Sequence, residues 1–446
     1  MKTLLEGQRR VRSLLGKQII KTKGEKYRFL KYLLHFRYEN GFVLYNVITG
    51  RLLFLNSEEE ALLQIYPISF REEFRELVEE YFLVPEEFDE KKLVNQLRLL
   101  LNRLFTNKGI SRFTIFTTTN CNARCFYCYE HGLSRVDMGE RDADRITDYI
   151  LKHKSKGKIK LSWFGGEPLI GVQRIDQICR KLIAEGVEFE STMTSNGYLF
   201  DADIVKRSVT LWRLKHVQIS LDGIKDTYNR VKAYIVKDEN PYGRVLDNIT
   251  LLLENGIAVT IRLNIDWYNI NEIRELGREL SARYGRFDNI SVYPHFILQK
   301  PNQKTGKRSQ IDEDNLVREQ IVLKEYLSDL GINKPDLSLP IIQGKGCGAD
   351  CEDSIVIYPD GRLYKCIDFN ENDSVGRIDC LEYNENMLAE YRRRTETDRC
   401  SICPIYPYCI ILSKCPDNGK YNKIYCDQKI KASINNIRTK IDSIGI

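Results

Sequence analysis

From residue 111 onward, short runs of β-branched and aromatic residues alternate with longer stretches in which apolar residues recur every three or four positions. The short runs occupy residues 112–118, 158–164, 189–195, 216–222, 258–264 and 290–296. Alternating strands and helices with almost continuously apolar strands predict a parallel sheet built from βαβ units. Six units predict an α/β fold over residues 109–300, a partial (β/α)6 barrel that is similar to a TIM barrel but not closed by eight strands.

Small or polar residues follow the first five predicted strands directly. They read TTNC, GGEP, SNG, SLDG and NID in chain order. In parallel barrels the chemistry gathers at the carboxyl ends of the strands. We therefore expect a ligand site along this rim.

Residues 1–108 predict a small α+β domain. Its first helix is predicted from the spacing of Leu4, Leu5, Val11, Leu14, Leu15 and Ile19. A hairpin with a turn near Thr49 and Gly50 then leads into a second helix, which Ser57 is expected to cap.

The length of 446 residues allows two or three domains. No apolar run approaches the roughly 18–20 residues that span a bilayer. The first residues lack the apolar core of a secretory signal, although their arginine-rich, amphipathic character also fits a short transit peptide. We expect a cytoplasmic protein without a membrane partner.

The formal net charge of +6 is unevenly distributed. Residues 1–37 hold eleven Lys and Arg against two Glu, a balance of +9, whereas residues 38–91 hold four against thirteen Asp and Glu, a balance of −9. We expect the two segments to neutralise each other. The alternative is a basic surface that binds an acidic peptide or nucleic acid. Nucleic acid is the less expected partner, because the segment lacks the interleaved aromatic and basic residues of single-strand binders.

Thirteen cysteines are present, nine of them in residues 341–446. Without a secretory signal a disulfide framework is not expected, because the cytosol keeps thiols reduced. Clustered thiols are more typical of metal ligands, and all-thiolate sets select zinc or iron–sulfur clusters. Residues 341–446 show little periodicity, so we expect a C-terminal domain that folds around its metals, connected to the barrel by residues 301–340.

The segment after the first predicted strand carries Cys121, Cys125 and Cys128, spaced C-x3-C-x2-C. Three thiolates leave one ligand position open. One interpretation is a zinc site completed by His131. The other is a [4Fe–4S] cluster with three thiolate-bound irons and a fourth iron that is free to bind a substrate or cofactor. The local pattern alone is compatible with both.

This spacing behind a strand, with Tyr127 directly before the last cysteine, resembles the signature of the radical S-adenosylmethionine (SAM) enzymes. The family's later motifs have counterparts here in GGEP at 165–168, SNG at 195–197 and SLDG at 220–223. The resemblance implies that the three cysteines hold a [4Fe–4S] cluster whose open iron binds SAM. Reductive cleavage of SAM would then yield a 5′-deoxyadenosyl radical that abstracts hydrogen from a substrate.

The resemblance also implies a set of cofactor contacts at the strand ends. These are Tyr127, Gly165, Gly166, Glu167, Ser195, Asn196, Ser220, Arg262 and Asn264. The glycines would let the backbone approach the methionyl part, and Glu167 would accept from its amino group. The chain departs from the family after SLDG, where His-Asp and Arg are common and Tyr228, Asn229 and Lys232 stand instead. A lysine meets a carboxylate as a point charge, without the fork of an arginine.

The C-terminal cysteines resemble those of the SPASM extension, which carries two auxiliary [4Fe–4S] clusters in radical SAM enzymes that modify peptides and proteins. The implied ligand sets are Cys347, Cys351, Cys366 and Cys415 for the first cluster and Cys400, Cys403, Cys409 and Cys426 for the second. Four ligands each leave no open iron, which favours electron transfer over substrate binding. Cys179 is expected to be a core residue, and Cys380 a spare or alternative ligand.

Together these resemblances imply an enzyme that uses SAM and three [4Fe–4S] clusters to modify a ribosomally synthesised precursor peptide by a thioether or carbon–carbon cross-link. An electron donor such as flavodoxin or ferredoxin is the second implied partner. Residues 1–108 would bind the peptide's leader at a sheet edge, or serve as a stabilising cap. The alternatives are a formylglycine-generating, sulfatase-activating enzyme and a non-catalytic iron–sulfur or zinc scaffold.

Overall fold

A computed structural model describes residues 2–18, 26–63, 67–105, 109–128, 130, 132–266, 269–297, 313–333, 338–344, 347–380, 382–409, 412, 414 and 423–444. The chain clusters into two compact units. The first combines Met1–Thr106, Asp336–Cys351 and Arg392–Ile446, and the second combines Asn107–Pro335 and Glu352–Tyr391. The segment 341–446, expected to form one C-terminal domain, thus contributes to both units.

The strands in chain order are β1 Lys2–Glu6, β2 Lys26–Phe29, β3 Leu33–Tyr38, β4 Gly41–Asn46, β5 Arg51–Asn56, β6 Ile68–Ser69, β7 Leu83–Pro85, β8 Arg112–Thr118, β9 Ile159–Gly165, β10 Phe189–Ser195, β11 Leu214–Leu221, β12 Ala258–Ile265, β13 Ile290–Phe296, β14 Ser354–Ile357, β15 Arg362–Tyr364 and β16 Gly376–Arg377.

The helices are α1 Arg9–Leu15, α2 Ser57–Leu62, α3 Arg75–Glu79, α4 Glu90–Phe105, α5 Glu140–His153, α6 Val172–Ala184, α7 Ala202–Thr210, α8 Lys225–Lys232, α9 Pro241–Glu254, α10 Ile270–Tyr284, α11 Glu313–Asp329, α12 Glu385–Arg392 and α13 Lys423–Ser443. None of the helices in the described part of the chain is both long and apolar enough to cross a membrane.

The first unit contains a four-stranded antiparallel sheet in the order β1-β5-β4-β3. Strands β4 and β5 form the predicted hairpin across Thr49 and Gly50, which is thereby confirmed. A smaller antiparallel sheet has the order β6-β2-β7. Helix α13 packs on one face of the larger sheet, where Ile437 and Ile441 are completely buried against residues of β3, β4 and β5.

Two details predicted for the N-terminal segment are wrong. Leu4 and Leu5 lie on strand β1, which pairs with β5, so the first helix begins only at Arg9; Ile19 lies outside the described residues. The helix after the hairpin is capped by Asn56 rather than Ser57. The Asn56 side chain accepts from the backbone N–H of Glu59, and the Glu59 carboxylate accepts from the N–H of Asn56, because β5 runs directly into the helix.

The oppositely charged segments pair inside the first unit, as expected. Arg12 lies 2.9 Å from the carboxylate of Glu80, and Arg28 lies 2.6 Å from that of Glu90. Both carboxylates are buried. Buried charges are stable only when paired, so these ion pairs between the basic and acidic runs hold parts of the unit together.

The second unit contains a nine-stranded sheet in the order β13-β12-β11-β10-β9-β8-β14-β15-β16. Strands β8 to β13 are parallel and lie side by side in chain order, with helices between them. This confirms the partial (β/α)6 barrel. Beside β8 the sheet continues with a seventh parallel strand, β14, which comes from the cysteine-rich segment that was expected to fold as a separate C-terminal domain. The short strands β15 and β16 extend the sheet in antiparallel fashion.

Candidate active site at the carboxyl ends of the parallel strands

The three-cysteine loop follows directly after β8. The backbone N–H of Asn120 donates to Thr118 Oγ1 at 2.8 Å, which turns the chain out of the strand. The thiols of Cys121, Cys125 and Cys128 are half-buried. Burial raises the pKa of Cys121 to about 11 and that of Cys128 to about 12. These thiols are therefore protonated at neutral pH, and binding of iron must displace their protons.

The donor set of this loop, three thiols, fits an iron–sulfur cluster with one open iron. In the described part of the chain, no three Cys, His, Asp or Glu side chains are arranged to bind a single metal ion. A four-iron cluster is ligated differently, because each cysteine binds a different iron and the three sulfur atoms need not converge on one point. His131, the candidate fourth zinc ligand, lies outside the described residues.

Gly165 and Gly166 let the loop after β9 pack against the cysteine loop. A Cβ atom on Gly165 would lie 2.0 Å from the carbonyl oxygen of Thr118, and one on Gly166 would lie 2.3 Å from that of Asn120. Gly165 also has a φ of 130°, which residues with a side chain rarely adopt. The glycines thus serve a close approach between two backbone segments. Their expected contact with the cofactor stays a prediction.

We predict that Gly165→Ala destabilises the second unit and impairs cluster assembly. The new methyl group would have to push the Thr118 carbonyl aside at an unfavourable φ, which should lower the free energy of unfolding by about 3 kcal/mol. Urea unfolding of the apoprotein and iron content after reconstitution measure the two effects. Gly157→Ala is the matched control, because its Cβ would meet no atom within 4 Å. Equal behaviour of the two variants would contradict the prediction.

Glu167 joins the ends of β9 and β10. Its carboxylate is completely buried and accepts from Ser195 Oγ at 2.9 Å and from the backbone N–H of Asn196 at 2.8 Å. Burial raises the pKa of Glu167 to about 7, against the lowering effect of these hydrogen bonds. The carboxylate therefore fixes the Ser195–Asn196 turn. Its expected contact with the amino group of SAM stays a prediction.

Asn196 connects the turn after β10 to the cysteine loop. Its Nδ2 donates to Asn122 Oδ1 at 2.7 Å and approaches the Cys121 sulfur at 3.8 Å. Its Oδ1 accepts from the N–H of Tyr198 at 3.0 Å. The side chain is buried, so these bonds are shielded from water. Ser195 and Asn196 thus position the first cysteine.

A buried polar network lies at the ends of β11 and β12. We call it the Asp222 cluster; its members are Tyr127, Ser220, Asp222, Lys232 and Asn264. Lys232 Nζ lies 3.0 Å from Asp222 Oδ2 and donates to Ser220 Oγ at 2.7 Å and to the Tyr127 hydroxyl at 3.4 Å. An ammonium group has three N–H donors. Two of the three thus donate within the protein, and the ammonium also forms an ion pair with Asp222, whose Oδ2 has no hydrogen-bond partner among the described residues.

The same cluster holds the cysteine loop in place through Tyr127. The Tyr127 hydroxyl donates to Asp222 Oδ1 at 2.5 Å and accepts from Asn264 Nδ2 at 2.8 Å. Burial is the largest single effect and lowers the pKa of Lys232, but the charge of Asp222 together with the smaller effects of Cys125 and Tyr228 outweighs it, and the net shift is upward. Lys232 therefore remains an ammonium, and its counter-ion is the aspartate of SLDG.

Ser220 and Arg262 stand next to each other on β11 and β12 as register partners. Because Ser220 Oγ accepts from Lys232, its own proton points elsewhere. The guanidinium of Arg262 is half-buried, and its Nε has no hydrogen-bond partner among the described residues. The pair thus offers donors at the strand ends where the sequence predicts cofactor contacts.

Sequence reasoning missed Asn269, which joins the ends of β11 and β12. Its Nδ2 donates to the carbonyls of Asp222 at 2.7 Å and Asn264 at 2.9 Å, and its Oδ1 accepts from the N–H of Asp266 at 2.7 Å. The residue is completely buried. An asparagine just before a helix is typical of an ordinary helix cap, so the sequence does not indicate that Asn269 links the two strand ends.

Within the first unit, the cysteines expected to bind the second auxiliary cluster lie around one cavity of about 210 Å³. The four are Cys400, Cys403, Cys409 and Cys426. The four thiols thus line the same cavity, although they are spread over 27 residues of the chain. Burial raises the pKa of Cys403 and Cys426. A closed set of four thiols suits a cluster without an open iron.

The other predicted auxiliary set stays a prediction, because its members are divided between the two units and one of them is outside the described residues. Cys347 and Cys351 belong to the first unit, Cys366 belongs to the second, and Cys415 lies outside the described residues. The Cys351 thiol is buried and donates to the carbonyl of Cys347 at 3.2 Å. Cys179 is completely buried in α6, as expected of a core residue. Cys380 is exposed.

Comparison with known proteins places these features in a family. The model described as the radical SAM superfamily matches residues 115–280. GTP 3′,8-cyclase of Clostridium perfringens is 31% identical over 280 residues, which cover 58% of this chain and 81% of that protein. An uncharacterised protein of Methanocaldococcus jannaschii is 28% identical over 243 residues, which cover 52% of this chain and 73% of that protein.

Two solved structures share the fold over more of the chain. The enzyme anSMEcpe, solved with AdoMet and a peptide named Kp18Cys, has a TM-score of 0.57 at 17% identity and covers 75% of this chain and 99% of its own. SuiB of Streptococcus suis, bound to its precursor peptide SuiA, has a TM-score of 0.52 at 16% identity and covers 89% of this chain and 97% of its own. The cysteine loop lies at the end of β8, and the sequence matches both the radical SAM model and a relative that is 31% identical. The chain therefore belongs to the radical SAM superfamily.

Proposed function

We propose that this chain is a radical SAM enzyme that modifies a ribosomally synthesised peptide by forming a thioether or carbon–carbon cross-link. The observation that carries the proposal is that the two fold neighbours covering the chain beyond the family's core were both solved with peptides bound. A cross-linking reaction removes hydrogen from the peptide. The four-cysteine cavity in the first unit is consistent with a site that accepts the remaining electron.

In this proposal the loop cysteines bind a [4Fe–4S] cluster, and bound SAM supplies a 5′-deoxyadenosyl radical that removes a hydrogen atom from the peptide. The chain's own residues bind SAM and position the cysteine loop. Ser220 and Arg262 present donors to the carboxylate or ribose of SAM, while Lys232 keeps Asp222 neutralised beside them. Tyr127, held by the Asp222 cluster, fixes the loop between its second and third cysteines.

The remaining cysteines hold two further clusters in this proposal. Cys400, Cys403, Cys409 and Cys426 bind one, and Cys347, Cys351, Cys366 and Cys415 bind the other. Residues 1–108 recognise the peptide's leader at an edge of their antiparallel sheet, as strand addition requires. A flavodoxin or ferredoxin supplies the electron that starts each turnover. The cytoplasm is the compartment that suits reduced thiols and these clusters.

The test uses the full chain, reconstituted with iron and sulfide under anaerobic conditions and reduced. It is incubated with SAM and the short peptide encoded beside its gene. We expect 5′-deoxyadenosine and a peptide that has lost two hydrogens and resists fragmentation between the linked residues. Absence of both products would overturn the proposal and favour a non-catalytic scaffold. GTP serves as the control substrate, because a GTP cyclase is among the relatives.

A second candidate is oxidation of a cysteine or serine to formylglycine in a sulfatase. The fold likeness to anSMEcpe, solved with peptides named Cp18Cys and Kp18Cys, favours it. The products separate the two candidates. Formylglycine from cysteine loses sulfur from the peptide, whereas a cross-link keeps every heavy atom; formylglycine from serine loses two hydrogens as a cross-link does, but it carries an aldehyde that reacts with a hydrazine. A sulfatase-derived peptide therefore belongs in the same assay.

A further inference from the structure

Arg98 of helix α4 has unused hydrogen-bond donors at the cavity of the four cysteines. Its side chain lines that cavity, and the residue is only 6% exposed. Nη2 donates to the backbone carbonyls of Tyr406 at 2.7 Å and Cys409 at 3.2 Å. Nε and Nη1 are buried and have no partner among the described residues. A buried guanidinium with two unused nitrogens is costly unless a ligand satisfies them.

More positive charge surrounds the same cavity. Arg394 also lines it, with a buried Nη1 that has no partner among the described residues, while its Nη2 forms an ion pair with Asp350 at 3.6 Å. Glu396 is a carboxylate in the same lining, and it also accepts a hydrogen bond from Lys91. Lys429 donates from Nζ to the sulfur of Cys409 at 3.7 Å. Burial, and then the charge of Arg394, lower the pKa of Arg98. Positively charged side chains placed this close together favour the binding of an anion.

A four-iron cluster bound by four thiolates is such an anion, and its negative charge grows by one unit on reduction. Its sulfur atoms accept hydrogen bonds, and both these bonds and nearby positive charge raise its reduction potential. A zinc ion with four thiolates would also be anionic, but it takes up no electron. The arrangement of Arg98 therefore has a consequence that can be measured only for a redox-active cluster.

We propose that Arg98 and Lys429 donate hydrogen bonds to the sulfur atoms of the cluster held by Cys400, Cys403, Cys409 and Cys426, and thereby raise its reduction potential. Arg98 acts as a positioning residue as well, because it ties down the backbone between Tyr406 and Cys409. This inference rests on the proposed function only in that the four cysteines hold an iron–sulfur cluster.

The test is an EPR-monitored redox titration of the full chain, loaded with iron and sulfide. The background carries Cys121→Ala, Cys125→Ala and Cys128→Ala, which remove the SAM cluster's signal. We expect Arg98→Met to lower the potential of one auxiliary signal, with a tenfold smaller ratio of reduced to oxidised cluster at the original midpoint, or about 59 mV for one electron. Arg98→Lys, which keeps the charge, should shift it less. The other auxiliary signal should not move.

Arg28→Met is the matched control, because Arg28 is a half-buried arginine of the same unit that does not line the cavity. An unmoved potential in Arg98→Met at full iron content, or an equal shift in Arg28→Met, overturns the inference. If Arg98→Met loses the cluster, Lys429→Met decides, because methionine has no N–H group and so removes the donor to Cys409 at a half-buried position. A lowered potential supports the inference and an unchanged one refutes it. A background protein without iron at these cysteines would instead refute the proposed cluster.

Discussion

Replacing Cys125 by alanine abolishes formation of 5′-deoxyadenosine and of modified peptide. With two thiolates left, the loop after β8 can no longer hold a four-iron cluster, and the site that binds SAM is lost with it. The iron content of the reconstituted protein should fall from about twelve to about eight atoms per chain, the share of one cluster in three. Iron and sulfide analysis and chromatography of the SAM products measure the effect.

Cys179→Ala is the control for this experiment. It also removes a buried thiol of the second unit, but Cys179 lies in helix α6 and belongs to no proposed ligand set. Its cost is a small cavity, of about 1–2 kcal/mol, with full iron content and activity. If Cys125→Ala kept its iron and still cleaved SAM, the assignment of the loop would be refuted.

Lys232→Met should be the most destabilising substitution in the Asp222 cluster. It leaves the completely buried carboxylate of Asp222 without its counter-ion, and loss of one partner of a buried pair costs about 3–5 kcal/mol. The Tyr127 hydroxyl loses a donor as well, so the cysteine loop should loosen. The midpoint of urea unfolding of the apoprotein measures stability, and a SAM binding titration on the loaded protein measures the effect on the site.

The double variant Lys232→Met with Asp222→Asn separates the charge from the packing. Because it removes both charges, it should be more stable than Lys232→Met alone, and the difference gives the coupling between the two side chains. Lys181→Met is the control for loss of an exposed pair, since Lys181 meets Asp148 at the surface of the same unit, and it should cost less than about 1 kcal/mol. A double variant less stable than the single one would contradict the prediction.

The barrel could be predicted from the sequence because one face of its strands is buried and most of the residues on the other face are at least partly buried, as in β10 and β13. Runs such as RFTIFTT at β8 and ISVYPHF at β13 occupy the same residues in the structure as in the pattern. Strand β14 could not be placed, because a run of only three apolar residues behind a serine gains a partner only through pairing with the distant β8. The helix predicted at Leu4 and Leu5 was wrong for the same reason. Their spacing fits a helix, and they lie on a strand only because that strand pairs with the distant β5.

At the site, the motifs identified residues that the structure places at the strand ends, but not what each one touches. The glycines of GGEP and the carboxylate of Glu167 meet the protein's own backbone and side chains in this structure. The pairing of Lys232 with Asp222, ten residues apart, depends on how α8 returns over the strand ends. Asn269 and Arg98 look like a cap and a surface helix residue in the sequence. Their roles come from tertiary contacts, which no local pattern encodes.

Helix α13 covers a face of the first unit's sheet, but it is synthesised long after the strands of that sheet. The bond from Arg438 to the carbonyl of Arg37 spans 401 positions. The ribosome thus makes β3 to β5 long before Ile437 and Ile441 exist to cover them. The nascent sheet must expose an apolar face throughout synthesis of the barrel, which makes it a natural client for chaperones. Fragments cut after residue 106 should accordingly aggregate when expressed alone.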